Sequence, residues 1–275
     1  MHITRITILV VMLFVSVERS SSSPVQVNKT KVLILGAGLS GIKAAKTLLD
    51  KGITDFLILE GQNYTGGRIH AVPFAGLKIE AGANWIQFTN VEDTAPFVKL
   101  KDEKKLNGIL SNYSDFLVRD EEGNDITDFS VYDEYLDKVD RHVEEYLEAR
   151  KETELPDIPA RVGLQLMGCK TEKQPIRKVV EYFNFDFEYG KRPELTSFFQ
   201  LSEGGDEFFV SDQRGFWSMF EDIYQPLTDR ILLGITVTEI KYSDTSFEVT
   251  TSNGDKVIAD YALCTFSTGV RHSDF

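Results

Sequence analysis

The sequence predicts an α/β fold that opens on a strand–helix–strand unit and continues into a mixed α/β insertion. An apolar strand at 32–35 is followed by a glycine-rich turn and by a helix over 42–49. A second apolar strand at 56–59 follows that helix, and strand patterns return from Ile231 onward. A chain of 275 residues with 42% hydrophobic positions is long enough for one large or two modest domains.

The glycines of the first turn have the spacing of a dinucleotide-binding fingerprint. Gly36 allows a tight turn, Gly38 lets a pyrophosphate approach the backbone, and Gly41 lets the helix lie against the strand. The helix N-terminus then faces the phosphates. Glu60 ends the second strand, where its carboxylate can accept hydrogen bonds from both ribose hydroxyls of an adenosine. The pattern therefore predicts a Rossmann-like GxGxxG unit, with a glycine turn of no ligand-binding role as the alternative.

A second glycine pair distinguishes a flavin cofactor from a nicotinamide cofactor. Gly66, Gly67 and Arg68 follow the second strand and its acid. Two adjacent glycines let the backbone pass close to a ligand. The guanidinium that follows them can neutralise a pyrophosphate or polarise a flavin ring. The segment therefore favours a flavin.

Together with Glu80-Ala-Gly-Ala-Asn-Trp85, these motifs resemble the flavin-containing amine oxidases, and most closely the secreted polyamine oxidases of plant type. The resemblance runs from Lys31 to the end of the chain and covers about the N-terminal half of such proteins. It implies FAD as the cofactor. It also implies an α/β fold with an FAD-binding Rossmann-like (GxGxxG) domain, an inserted mixed α/β substrate domain and a C-terminal truncation. A truncated chain is expected not to complete the sheet and the flavin pocket.

The resemblance gives roles to individual residues, most of them contacts to the cofactor. The implied contacts are Gly36, Gly38, Ser40 and Gly41 at the diphosphate, Glu60 at the ribose, Gly67 and Arg68 at the flavin side, Gly82, Ala83, Asn84 and Trp85 in the turn beside the isoalloxazine, and Val237 at the adenine. No catalytic residue is implied within the chain. The four histidines show no metal-ligand spacing, so no metal site is predicted.

Two further positions are implied to bind the substrate. Gln87 stands where plant-type polyamine oxidases carry a glutamate, and an amide can hydrogen-bond an amine but supplies no charge. Glu188 matches another tunnel carboxylate of the family and lies in the aromatic stretch 182–189, which suits a protonated amine. The alternative for Glu188 is an exposed acid on a half-buried strand. Many members also have an arginine where this chain has Tyr64.

The reaction implied by the resemblance is the FAD-dependent oxidation of spermine or spermidine. Hydride leaves a carbon next to nitrogen for the flavin, the iminium hydrolyses, and oxygen reoxidises the flavin to give hydrogen peroxide. The expected partners are therefore a polyamine and oxygen. A secreted L-amino acid oxidase, which needs an arginine for the substrate carboxylate, is one alternative, and a non-catalytic truncated fragment is another.

Charge and the N-terminal segment bear on partners and location. The formal net charge of −13 argues against nucleic acid, because phosphates would be repelled. Residues 1–24 are typical of a cleaved signal peptide, since their apolar run is too short to span a bilayer. An uncleaved anchor and a core element are the alternatives. Glycosylation motifs at Asn28, Asn63 and Asn112 agree with a secreted or lumenal protein that has no membrane span after signal cleavage.

The chain is expected to divide into four segments. They are a signal peptide at 1–24, a first part of the FAD-binding domain at 25–90, a substrate domain at 91–229, and a second, incomplete part of the FAD-binding domain at 230–275. Helices are predicted over 128–155 and 216–223. Cys264 lies on an apolar strand and is expected to be packed.

Overall fold

The structure is a computed structural model of the chain, and its compact parts form two units. The described residues are 29–87, 89, 95–112, 117–120, 122–127, 145–146, 148–149, 153, 156–166, 168, 175–198 and 206–271. The first unit draws on Met1–Trp85, Phe97–Gly108 and Val210–Phe275, and the second on Ile86–Pro96 and Ile109–Phe209. The domain boundaries predicted from the sequence stay a prediction. Within the described ranges, no helix has the length and apolar character needed to cross a membrane.

The strands and helices of the described chain are mostly short. The strands are β1 (Lys29–Leu35), β2 (Phe56–Leu59), β3 (Ala71–Phe74), β4 (Leu77–Glu80), β5 (Trp85–Ile86), β6 (Gly108–Leu110), β7 (Phe208–Val210), β8 (Ile231–Leu232), β9 (Val237–Tyr242), β10 (Phe247–Thr251) and β11 (Lys256–Cys264). The α-helices are α1 (Leu39–Asp50), α2 (Ala95–Glu103), α3 (Ala160–Leu166), α4 (Pro175–Tyr182), α5 (Glu221–Tyr224) and α6 (Thr268–Arg271). Tighter or wider helical turns cover Phe183–Phe187, Phe216–Phe220 and Gln225–Arg230.

The first unit is built on a six-stranded sheet with the strand order β8-β2-β1-β11-β10-β9. The first four strands in that order are parallel, and β10 and β9 continue the sheet in antiparallel pairing. Two smaller sheets have the orders β3-β4 and β5-β7-β6. The α/β prediction and the strands predicted after Ile231 are confirmed. The short helix predicted over 216–223 is also confirmed, as successive helical turns.

The opening βαβ unit forms because its strands are apolar on both faces. Leu33 and Leu35 pack on one face of β1, where they join Leu57 and Leu59 of β2 in one core cluster. The intervening residue Ile34 contributes to a second cluster with the inner side of α1. A parallel strand covered on both faces reads as a continuous apolar run, which is why the sequence reveals these strands so clearly.

The helix α1 lies very close to the glycine turn that precedes it. Ile42 and Ala45 are completely buried on its inner side. A Cβ atom added at Gly41 would lie 2.0 Å from the carbonyl oxygen of Gly36, so only glycine fits there without a backbone shift. The helix ends at Asp50, and Gly52, with a φ of 76°, turns the chain toward β2.

The aromatic stretch at 182–189 is helical, so the strand considered for Glu188 is wrong. The helix α4 continues through a π-helical turn at Phe183–Phe187. The alternating phenylalanines imitate a strand pattern, but Phe183 and Phe187 stack at helical spacing with ring centroids 4.9 Å apart. Phe185 is buried while its two aromatic neighbours stay exposed. The alternation of phenylalanines along the sequence therefore does not indicate a strand, because Phe185 packs as part of a helix.

One arginine joins several parts of the second unit. Arg161 of α3 donates two hydrogen bonds to the buried carboxylate of Glu181, at 2.6 and 2.7 Å. Its Nε atom also donates to Glu194 at 2.9 Å. These hydrogen bonds raise the pKa of Arg161 and lower the pKa of Glu194. The bidentate geometry fixes α3 against α4.

Of the other sequence predictions, one is wrong and the rest are not tested by the structure. Cys264 is exposed, so the prediction that it is packed is wrong. Burial in β11 is confined to Val257 and Ala259, because among the described residues only the first half of the strand is covered. Asn63 and Asn112 are exposed, and their glycosylation stays a prediction. Residues 1–24, Asn28 and most of the helix predicted over 128–155 lie outside the described residues.

We expect the substitution Gly41→Ala to lower the free energy of unfolding by about 1–3 kcal/mol, the usual cost of overpacking a closed site. The added methyl group would press on the Gly36 carbonyl oxygen. Chemical denaturation of both proteins measures this difference. Gly269→Ala is the matched control, because a Cβ at Gly269 meets no atom within 4 Å. Equal stability of G41A and wild type would contradict the close approach.

Candidate dinucleotide site

The peptide groups on either side of Ala37 join the three segments predicted to hold the cofactor. The Ala37 N–H donates to Oε2 of Glu60 at 2.7 Å. The Ala37 carbonyl oxygen accepts a hydrogen bond from the Gly66 N–H at 2.9 Å. Ala37 itself is completely buried, and its hydrogen bond to Glu60 is partly buried. The glycine turn, the acid after β2 and the Gly-Gly-Arg turn are therefore held together by one residue.

The two glycine turns face each other with their backbones open. Gly36 has a φ of 108°, which favours glycine, and Gly38 forms an isolated bridge with Gly66. A Cβ at Gly67 would lie 3.3 Å from the Gly38 Cα, so the two turns pack backbone against backbone with little room for a side chain between them. The first turn of α1, which includes the exposed Ser40, begins beside this contact. Amides at a helix start have no partner within the helix and suit an anion.

Glu60 is oriented by the backbone and keeps acceptor capacity for a ligand. One carboxylate oxygen accepts from the Ala37 N–H, and the other accepts from the Gln62 N–H at 2.8 Å. A carboxylate has about four lone-pair sites, so about two remain free for hydroxyl donors. The side chain is only half-buried. Glu60 can thus hold its position and still bind a ribose.

The Gly-Gly-Arg turn lies beside the turn that contains residues 82–85. The Arg68 carbonyl oxygen accepts a hydrogen bond from the Ala83 N–H at 3.1 Å. A Cβ at Gly82 would lie 1.9 Å from that same carbonyl oxygen. The Asn84 carbonyl oxygen accepts from the Val210 N–H, and the Trp85 side chain is 36% exposed. The backbone contacts bring both predicted flavin segments together.

The side chains around the Gly-Gly-Arg turn differ in what they contact. The Arg68 side chain is exposed and carries the positive charge available to a ligand at this turn. Tyr64, which replaces the arginine of many family members, instead stacks on His70 with ring centroids 3.9 Å apart. The charge that an arginine would bring at this position is therefore replaced by ring packing.

Val237, the remaining residue predicted to contact the cofactor, lies in the first unit near Glu60. Val237 is buried at the start of β9. Just before it, the Ile235 N–H donates to the Glu60 carbonyl oxygen at 2.8 Å, so the segment leading to Val237 lies beside the acid. Gln87 and Glu188 belong to the second unit, where both are exposed. The cofactor residues are thus gathered in one unit.

Sequence reasoning overlooked two polar residues near these turns. The Oε1 atom of Glu80 accepts a hydrogen bond from the Phe216 N–H at 2.7 Å. Its Oε2 atom is buried and finds no hydrogen-bond partner in the part of the chain that the structure describes. Thr265 follows β11 and contacts the end of β1. Glu80 opens the motif at 80–85 but received no role there, and the adjacency of β1 and β11 would have been needed to find Thr265.

Comparison with known proteins identifies the family. The sequence profile of the family described as "Flavin containing amine oxidoreductase" matches residues 39–274. The chain belongs to this family of flavin-containing amine oxidoreductases. The resemblance drawn from the motifs is confirmed, and FAD is the cofactor that this membership assigns to the chain.

Similar proteins include polyamine oxidases. Polyamine oxidase 7 of Oryza sativa subsp. japonica is 30% identical over 98% of this chain and 62% of its own length. Polyamine oxidase 1 of Zea mays is 34% identical over 89% of this chain and 54% of its own length. The chain therefore spans little more than half the length of these relatives.

Solved structures give the same fold. A putrescine oxidase bound to putrescine matches with a TM-score of 0.60 at 18% identity, over 85% of this chain and 57% of that protein. At this identity the likeness establishes the fold alone.

The arrangement of this flavin-containing amine oxidoreductase fits FAD. Gly38 and Gly67 pack closely and carry no Cβ atoms, so both backbones stay bare where a pyrophosphate would approach the start of α1. The carboxylate of Glu60 keeps free acceptors for the adenosine ribose. The Arg68 side chain supplies a positive charge at the second turn. The contacts of individual residues to FAD stay predictions.

We expect Glu60→Gln to weaken both the fold and FAD binding. The Ala37 and Gln62 N–H groups use different carboxylate oxygens, and glutamine replaces one of these oxygens by an NH₂ donor that cannot accept; it also loses the charge that strengthens both hydrogen bonds. The expected loss is about 1–3 kcal/mol of unfolding free energy, measured by denaturation without FAD. Glu239→Gln, at an exposed ion pair with Lys241, is the control and should change little. A Glu60→Gln protein as stable as the control would show that the hydrogen bonds from Ala37 and Gln62 to Glu60 do not stabilise the fold.

Proposed function

We propose that this chain binds FAD at its two glycine turns and oxidises polyamines such as spermine and spermidine. The observation that carries the proposal is the pair of hydrogen bonds made by Ala37, because it joins the GxGxxG turn to both Glu60 and Gly66. The relatives from rice and maize, which are named polyamine oxidases, support the substrate class.

The residues of the first unit have separate tasks in this proposal. Bound FAD supplies a two-electron acceptor next to the substrate amine. The N–H groups at the start of α1 would bind the pyrophosphate, and the Arg68 guanidinium would balance its charge. Glu60 would hold the adenosine ribose and so orient the cofactor along the turns. Backbone groups carry most of this binding, which is why glycines dominate the motif.

The second unit offers a carboxylate suited to an ammonium group. Although the residue as a whole is exposed, partial burial of its carboxylate raises the pKa of Glu188, and the charge of Glu207 raises it further. The aromatic rings of Phe183 and Phe187 are stacked one helical turn apart and are 43% and 47% exposed. A carboxylate next to exposed rings can attract protonated nitrogens and accommodate the methylene groups between them. A polyamine has both features.

The test of this proposal uses the full chain purified with FAD and then freed of unbound cofactor. We expect one FAD per chain, seen by its visible absorbance, and hydrogen peroxide on addition of spermine or spermidine but not of leucine. Peroxide from leucine alone would indicate an amino acid oxidase instead. FAD binding without peroxide from any of these amines would contradict the catalytic part of the proposal. A chain that retains no FAD would contradict the whole proposal and would agree with the sequence-based expectation that a truncated chain leaves the flavin pocket incomplete, whereas one FAD per chain with peroxide would refute that expectation.

A pH series tests Glu188 as the ammonium-binding group. Because its pKa is raised, the carboxylate is neutral at low pH and becomes charged only as pH rises through that higher pKa. Spermine affinity should therefore increase with pH in the wild type and become flat over that range in Glu188→Gln. Above the transition we expect Glu188→Gln to bind spermine about tenfold more weakly, in line with a charged hydrogen bond.

Isothermal titration calorimetry at several pH values measures both effects. Glu148→Gln, at an exposed acid of the same unit, should follow the wild-type curve. Parallel curves for Glu188→Gln and wild type would exclude Glu188 from substrate binding.

A further inference from the structure

Thr265 makes two hydrogen bonds to the end of the first strand. It follows β11, the parallel neighbour of β1. Its backbone N–H and its Oγ1 hydroxyl both donate to the Leu35 carbonyl oxygen at 2.9 Å. The same hydroxyl lies 3.3 Å from the carbonyl oxygen of Gly36. A residue 230 positions away in the sequence thus contacts the first two carbonyl groups of the glycine turn.

The hydroxyl of Thr265 also fills space that two fingerprint glycines leave open. A Cβ at Gly36 would lie 2.7 Å from Oγ1, and a Cβ at Gly41 would lie 3.3 Å from it. Two of the three fingerprint glycines therefore make room for a threonine of the neighbouring strand. In the sequence, these glycines were explained by a tight turn and by helix packing alone.

The contact between Thr265 and Gly36 is linked to Glu60 through one planar peptide group. The carbonyl oxygen of Gly36 and the N–H of Ala37 belong to the same planar peptide group. The oxygen faces the Thr265 hydroxyl, and the N–H donates to Glu60 at 2.7 Å. Rotation of this peptide would break both contacts at once. Thr265 and Glu60 therefore hold opposite ends of the peptide that begins the turn.

We infer that Thr265 is a positioning residue for FAD, whose hydroxyl fixes the orientation of the Gly36–Ala37 peptide before the cofactor binds. The inference rests on the proposed binding of FAD at the glycine turns. With the hydroxyl in place, Glu60 and the amides that follow Ala37 are already in the arrangement that receives the adenosine and the pyrophosphate. Without it, FAD binding must also order the turn, and affinity falls by the cost of that ordering.

The test compares Thr265→Val, which keeps the shape and removes the hydroxyl, with Thr265→Ser, which keeps the hydroxyl. FAD is titrated into each full chain and binding is followed by flavin fluorescence. We expect Thr265→Val to raise the dissociation constant about tenfold, the upper range for one lost hydrogen bond, and Thr265→Ser to stay within about twofold of wild type. Thr238→Val is the control, because its hydroxyl bonds Thr250 at an exposed site on β9.

A second measurement needs no cofactor. Amide hydrogen exchange of the segment 36–41 should be faster in Thr265→Val than in wild type, and Thr265→Ser should restore the slow rate. A merely structural role would lower global stability equally in both variants, and the serine would not rescue affinity.

The outcomes separate this inference from the proposed function. Wild-type affinity in Thr265→Val, or exchange unchanged at 36–41, overturns the positioning role while FAD binding stands. A wild-type chain that binds no FAD overturns both.

Discussion

The arrangement of the candidate site depends on two hydrogen bonds made by the backbone of one buried alanine. The Ala37 N–H donates to Glu60, and the Ala37 carbonyl oxygen accepts from the Gly66 N–H, so three neighbouring segments share one anchor. Backbone groups make both contacts at this residue, and its small side chain is completely buried. A pyrophosphate needs N–H groups presented from a rigid surface, and a flexible turn would have to be ordered by the ligand itself. The anchor supplies that rigidity in advance.

Much of the opening unit could be predicted from the sequence because its signals are local. Apolar strands, the glycine spacing and Glu60 lie within about thirty residues, and each has a separate chemical reason. The roles of Ala37 and Thr265 could not be predicted, because they depend on which strands become neighbours. The phenylalanines at 183, 185 and 187 alternate with polar residues, which suggested the strand alternative for Glu188. The structure instead buries Phe185 alone, in a π-helical turn. Cys264 was misplaced because an apolar sequence does not show whether other residues cover it.

In the proposed function, the two units divide the chemistry between cofactor and substrate. The first unit holds the predicted FAD residues and uses mainly backbone groups, which recognise phosphate without regard to side-chain identity. The second unit holds Glu188, whose raised pKa and aromatic neighbours suit a cationic substrate. Membership of the flavin-containing amine oxidoreductases rests on a match over residues 39–274. The choice of polyamines rests on the relatives and on this acidic, aromatic helix.

A crystal structure of the full chain with FAD would test most directly whether the glycine turn anchored by Ala37 binds the cofactor. We predict a pyrophosphate beside the turns at Gly38 and Gly67, within hydrogen-bond distance of N–H groups at the start of α1. We also predict that Glu60 contacts the adenosine ribose while it keeps its hydrogen bond to Ala37. An FAD bound elsewhere, or a Glu60 carboxylate turned away from the ribose, would contradict the claim.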